Sequence, residues 1–170
     1  NPSARVHEME DSASVKISQE KLCLSCHLDD PDVRSRIAPS AGFIDMYEHS
    51  VHGSQLISGN GNAANCVDCH NSHDVIEANL SESSIFKSNI PYTCSKCHKE
   101  IFNEYNETVH SKALLRGNCD CPVCTDCHGE QNIRRHHDPK SPVAFQNLSR
   151  EVCSPCHSSL KLSFKYCFAS

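Results

Sequence analysis

The chain has 170 residues, of which 38% are hydrophobic with its thirteen cysteines included, 22% are charged and none is Trp. That is a poor supply of apolar material for closing an ordinary core at this length. A formal charge of −5, with 16 Lys and Arg against 21 Asp and Glu, argues against nucleic acid as a partner, and no stretch approaches the roughly 20 apolar residues of a membrane span.

In chain order, residues 1–20 are a polar, Ser-rich arm carrying His7 and Met9, which cannot make a core of its own. Cys23-Leu-Ser-Cys26-His27 follows, then a loop region with Pro31 and Pro39, then the helix-compatible Tyr47-Glu-His-Ser-Val-His52-Gly-Ser-Gln-Leu56. Asn60-Gly61-Asn62 predicts a turn ahead of Cys66-Val-Asp-Cys69-His70, and His73 stands three residues beyond. After Cys94-Ser-Lys-Cys97-His98, the window Lys99 to Leu115 predicts a helix with Ile101, Phe102, Tyr105, Val109 and Leu114 roughly on one face. Gly117-Asn118 predicts a second turn, followed by Cys124-Thr-Asp-Cys127-His128, the adjacent His136 and His137, and finally Cys153-Ser-Pro-Cys156-His157 with a tail to residue 170.

Cys-x-x-Cys-His thus occurs five times, and this is the attachment pattern of c-type haem. Two thiols three positions apart can add to the two vinyl groups of one porphyrin, and the histidine that follows is then placed to ligate the iron. The expectation is five haem c groups held by Cys23, Cys26, Cys66, Cys69, Cys94, Cys97, Cys124, Cys127, Cys153 and Cys156, with His27, His70, His98, His128 and His157 as proximal ligands. Zinc is the rival for paired cysteines. It has no need of a histidine after every second cysteine, and the one additional pair, Cys121-Pro-Val-Cys124, is followed by Thr125. A disulfide framework fails on the same histidines.

Five porphyrins would supply the missing apolar surface and their thioether bonds the missing staples. The predicted fold is therefore mostly irregular, with short α-helices and little or no sheet, cored by haem and unable to fold without it. Propionates add about two negative charges per haem, partly offset by iron, so the loaded protein is expected to be acidic. Haem addition to this motif in bacteria and archaea takes place outside the cytoplasm. No signal peptide opens the chain, so numbering is expected to begin at a mature terminus, with the protein extracellular or at the cell surface, or alternatively periplasmic.

The chain also repeats itself. At an offset of 58, Tyr47 to Leu56 superposes on Tyr105-Asn-Glu-Thr-Val-His110-Ser-Lys-Ala-Leu114, and Cys66 to His70 superposes on Cys124 to His128. Residues 1–170 are read as one multihaem domain with an arm (1–20), a first unit (23–73), a second unit (94–137), and a fifth motif with its tail (153–170) that starts an unfinished third unit. Cys23 to Cys94 is an offset of 71, so the first unit carries thirteen more residues between its first motif and Tyr47.

A haem motif, then Tyr-x-x-Ser/Thr-Val-His, then Cys-x-Asp-Cys-His with a further His, resembles the doublet arrangement of multihaem cytochromes c. This group includes periplasmic electron carriers and the extracellular cytochromes that polymerise into conductive filaments, or nanowires. The resemblance covers roughly residues 20–157. It implies that His52 and His110 each ligate the first haem of their own unit. The other distal candidates are His73, which can serve a neighbouring haem, His136 and His137, which replace the ligand lost where Gln131 stands at the position of His73, and His7 and His49. Seven histidines for five distal positions leave Met9 and Met46 unneeded, so bis-His, low-potential haems are expected. His7, in its polar arm, is read as a ligand given in trans to a haem of an adjacent copy, with ligation inside its own subunit or plain exposure as the alternatives.

Cys119, Cys121 and Cys167 belong to no haem motif, and two of them are expected to form a disulfide that ties Cys167 to residue 119 or 121. Sequons at Asn79, Asn106 and Asn147 are read as chance matches. If every iron has two protein ligands, no site is open for substrate. The expected function is then electron transfer by hopping, not catalysis, as a homopolymer subunit or as a soluble periplasmic shuttle delivering to redox partner proteins or extracellular acceptors. A multihaem reductase with one open haem is the rival class, and the Cys-x-x-Cys-Lys attachment of one nitrite-reducing family is absent from the sequence.

Overall fold

The computed structural model describes residues 12–27, 32 and 42–157. Among them there is no strand, and apart from the 16-residue first helix the helices have eight residues or fewer. The mostly helical and irregular fold expected from the composition is what the chain adopts. It divides into two compact units, residues 1–71 and 72–170.

In the first unit, α1 (Ser12–His27) ends in the first Cys-x-x-Cys-His motif. The pair α2 (Phe43–Glu48) and α3 (Val51–Ile57) follows, and α4 (Cys66–His70) is the second motif itself. Helix α1 packs on α3 and α4 through Ala13 and Ile17, which close over the buried Leu56 and Ala63. Residues 12–20 of the polar arm are therefore helical and anchored. The Pro31 and Pro39 region, His7 and Met9 lie outside the described residues.

In the second unit, α5 (Ile90–Ser95) leads into the third motif, α6 (Lys99–Asn106) and α7 (Val109–Leu114) form the helix pair, and α8 (Cys124–His128) is the fourth motif. Leu114, Cys121 and Val123 make its small core, with Ile90 and Ala113 against it. Leu114 stands where Leu56 stands in the first unit, and Cys121 where Ala63 stands. The fifth motif ends a helical run of α9 (Phe145–Asn147), a π-helical turn (Leu148–Cys153) and α10 (Ser154–His157).

The single helix predicted from Lys99 to Leu115 is two helices. Thr108 leaves the helical region and its hydroxyl accepts the Ser111 N–H at 3.2 Å, an N-cap that restarts the helix after Asn106. Ser50 caps α3 in the same way, accepting the Gly53 N–H at 3.1 Å. A Cβ at Gly53 would run into the Tyr47 carbonyl oxygen, so this elbow is tighter than its counterpart. There, Ser111 is tolerated and donates to Asn106.

Both predicted turns are present, each built on a left-handed glycine, Gly59 at φ 94° and Gly117 at φ 86°. Each is closed by an Asn side chain accepting a backbone N–H two residues on, Asn60 from Asn62 and Asn118 from Asp120, at 3.1 Å in both cases.

Leu56 is fully buried while Leu115 is 64% exposed. Leu56→Ala should cost the haem-loaded protein about 2–5 kcal/mol, and Leu115→Ala within about 0.5 kcal/mol. Denaturant unfolding followed by far-ultraviolet circular dichroism checks both. Equal losses would mean that this small cluster does not hold the first unit together.

Candidate haem-binding site

The motifs are presented in two ways. The first and third close an incoming helix, so the chain arrives at Cys23 and Cys94 already helical. The second and fourth begin a helix of their own, and the aspartate inside the motif makes that possible. Asp68 accepts the Asn65 N–H at 2.9 Å while Asn65 accepts the Asp68 N–H at 3.2 Å, a reciprocal capping box. In the fourth motif Asp126 accepts the Val123 N–H at 2.7 Å. Valine has no side-chain acceptor, so only this half of the box exists there. Each helix ends on a residue with positive φ at the same repeat position, Asn71 at 64° and Gly129 at 82°, which Asn and Gly tolerate best.

The same two carboxylates receive a lysine. Lys16 Nζ lies 2.8 Å from Asp68 Oδ2 and also donates to the Ala63 carbonyl at 2.8 Å, while Lys87 Nζ lies 3.3 Å from Asp126 Oδ2. Each lysine stands seven residues before the first cysteine of its unit. Each unit also hangs a tyrosine from its helix pair onto the strand of chain ahead of the second motif. Tyr47 Oη donates to the Ala64 carbonyl at 2.8 Å and Tyr105 Oη to the Pro122 carbonyl at 3.1 Å. Burial pushes both phenols up, Tyr105 to about 12, so both stay protonated donors.

These anchors bring the two motifs of a unit together. Burial, followed by the repulsion of His27, lowers the pKa of His70, and burial followed by His98 does the same to His128. Both effects favour the neutral ring, the form that ligates iron. Burial raises the Cys66 thiol to about 11, with Cys23 adding to the effect. Cys124 is hydrogen-bonded with Cys94, which draws its pKa down. Burial, then Asp126 and Cys124, raise the Cys127 thiol, and Cys153 and Cys156 of the fifth motif add to the effect.

The residues fit a covalently held porphyrin. None of the ten motif thiols is in a disulfide, and none is fully buried. Large apolar side chains stand exposed beside the motifs, among them Leu22, Tyr92 and Ile101, where a macrocycle would cover them. Among the described residues no group of three or more His, Cys, Asp or Glu is gathered to hold a bare metal ion, and a cleft of about 230 Å³ lined by Tyr92, Phe102 and Tyr105 contains no Cys or His.

The distal candidates are dispersed. His52 is half-buried on α3. His110, on α7, has its ring centroid 6.1 Å from that of His157. His49 is exposed at the end of α2, its Nδ1 at 2.8 Å from the Asp45 carbonyl oxygen, and His73 is exposed. His136 and His137 meet edge to face at 5.3 Å, both exposed. Met46 is 48% exposed. Cys119 is disulfide-bonded, Cys121 is a buried thiol outside any disulfide, and Cys167 lies outside the described residues. Two of the sequon residues are structurally engaged: Asn106 accepts from the Ser111 hydroxyl, and the Asn147 amide donates to the Pro139 and Ser141 carbonyls.

Sequence reasoning missed the lysine–aspartate pairs and the scaffold of the fifth motif. Asn89 donates to the carbonyls of Ser81 and Ser83 at 2.8 Å, as Asn147 does 58 residues later to those of Pro139 and Ser141. Buried Ser83 donates to the Ile76 carbonyl and buried Ser141 to the Arg134 carbonyl, again 58 apart. The fifth motif therefore has the same lead-in as the third. Cys94 to Cys153 is 59 residues, however, and the π-helical turn at Leu148–Cys153 takes up the additional residue.

The sequence model of the doubled CXXCH motif family matches residues 59–102, about a quarter of the chain, taking in the second and third motifs. No curated protein and no solved structure matches. The match supports a c-type cytochrome-like multihaem protein, with haem c bound covalently and electron transfer as its general activity. Among the described residues no helix is long and apolar enough to cross a membrane.

Buried Glu20 on α1 has its pKa raised by desolvation and then by Glu48. The folded chain thus keeps this proton at pH values where the unfolded chain has released it, and stability falls as pH rises past the ordinary carboxylate range. Glu20→Gln should therefore stabilise the loaded protein at pH 7 and lose that advantage at pH 4. Unfolding midpoints at the two pH values measure it, and an equal effect at both would assign the gain to packing instead.

Proposed function

We propose that the chain carries electrons by hopping along five covalently bound bis-His haems, without catalysing a reaction, as a subunit of an extracellular cytochrome filament that serves extracellular electron transfer. The observation that carries the electron-transfer reading is the pairing of motifs inside each unit. The helix that carries the first motif packs on the second-motif helix α4, α5 packs on the fourth-motif helix α8, and Cys94 is hydrogen-bonded with Cys124, so the two attachment segments of each unit are neighbours. Transfer needs such proximity and no open coordination position, because the protein's part is to space, bury and tune the cofactors.

The filament reading rests on the arm. Ala13 and Lys16 fix the start of α1 to the first unit, and His7 precedes that helix in the sequence. His7 would then be a distal ligand to a haem of the next copy, and the interface would be heterologous and open-ended. Redox proteins or extracellular acceptors take the electrons.

The natively exported protein should carry five haems by mass and pyridine haemochrome, show low-spin spectra without a shift on adding cyanide or nitrite, and form filaments with a regular repeat under the electron microscope. His7→Ala should abolish the filaments while the haem count stays at five. Discrete particles would make the protein a soluble periplasmic shuttle, and a high-spin haem that binds nitrite would make it a reductase.

A further inference from the structure

His110 and His157 come from different parts of the second unit, yet their rings lie at a centroid distance of 6.1 Å and an interplanar angle of 43°. Metal–imidazole bonds are about 2 Å long and a ring centre lies about 1 Å beyond its ligating nitrogen, so two imidazoles on opposite sides of one metal have centroids about 6 Å apart. Both ring planes then contain the same axis, and any angle between them, 43° included, is allowed. We propose that His110 is the distal ligand of the fifth haem, opposite His157, and does not serve the first haem of its own unit. The assignment rests on the reading of the chain as a multihaem electron carrier and specifies one of its centres.

Both partners are held independently of each other. Helix α7 is fixed by the Thr108 cap and by buried Ser111 and Leu114, which bracket His110 on its short helix. His157 is fixed by the lead-in that repeats that of the third motif, with the π-helical turn restoring the motif's phase after the added residue. One haem held in this way would tie the helix pair of the second unit to the start of the third. It would also account for a fifth motif that has no helix pair of its own among the described residues.

The test uses the full, haem-loaded chain and two backgrounds. In the five-haem protein, His110→Ala should convert one haem to a high-spin, cyanide-binding centre by electron paramagnetic resonance, reversed by added imidazole. In a four-haem background made by Cys153→Ala with Cys156→Ala, the same substitution should open no further haem. Low-spin spectra throughout in the first case, or a newly opened haem in the second, would overturn the assignment. Should His110→Ala fail to accumulate, His110→Met keeps a ligand and should raise the potential of one haem only in the five-haem protein. A rise in both backgrounds, or in neither, also overturns it. Fewer than five haems in the unsubstituted protein would instead remove the five-haem reading on which the assignment rests.

Discussion

In each unit the structure depends on one carboxylate. Asp68 and Asp126 sit inside a five-residue motif helix, far too short to persist by propensity, and accept the backbone N–H at its start. The same oxygen atoms take the lysine of the helix or turn that leads into the unit's first motif. One side chain therefore both nucleates the second motif and ties the first to it. Partly exposed ion pairs contribute only about 1 kcal/mol or less, so the importance of the pair lies in registration more than in stability: it fixes which face of the lead-in meets which face of the motif helix.

Such polar registration is what a chain with this composition has to use. Its buried clusters consist of three residues each, and two of those residues are alanines. The backbone is organised largely by side chains that bind it: Ser50 and Thr108 at helix starts, Asn60 and Asn118 in turns, Tyr47 and Tyr105 across to the second motif, and Asn89 and Asn147 over the lead-ins. Every one of these pairs is separated by 58 residues. Hydrogen bonds of this kind contribute about 1 kcal/mol apiece, but they are directional, so they can hold motifs in orientation where a small apolar core cannot.

The motifs, the duplication and both turns were legible in the sequence because each is a contiguous string with its own chemistry. Helix α1 was not, because Ala13, Val15, Ile17, Leu22 and Leu24 form no single stripe and its segment reads as polar. The break at Thr108 was hidden by apolar periodicity that runs across it: Val109 and Leu114 continue the face of Ile101 and Tyr105, while the restart is a single hydroxyl. The equivalence of Lys16 and Lys87 was masked by the thirteen-residue shift between the units, which moves it to an offset of 71 while the aspartates stay at 58. The lead-in of the fifth motif repeats only one serine and one asparagine at equivalent places, too little for an alignment by eye yet enough for the same hydrogen bonds.

The three offsets, 58, 59 and 71, also show where such a chain can absorb insertions. The thirteen additional residues fall between the first motif and α2, away from the carboxylate clamp, the tyrosine strut and the caps, so the first unit closes as the second does. The single additional residue of the third lead-in falls inside a helix, where a π turn accommodates it without ending the helix that runs into Cys153. A loop would have served to hold the chain but not the angle of His157. Taken up as helix, the added residue leaves Cys153, Cys156 and His157 continuous with their lead-in, which is the arrangement that the proposed pairing of His157 with His110 would need.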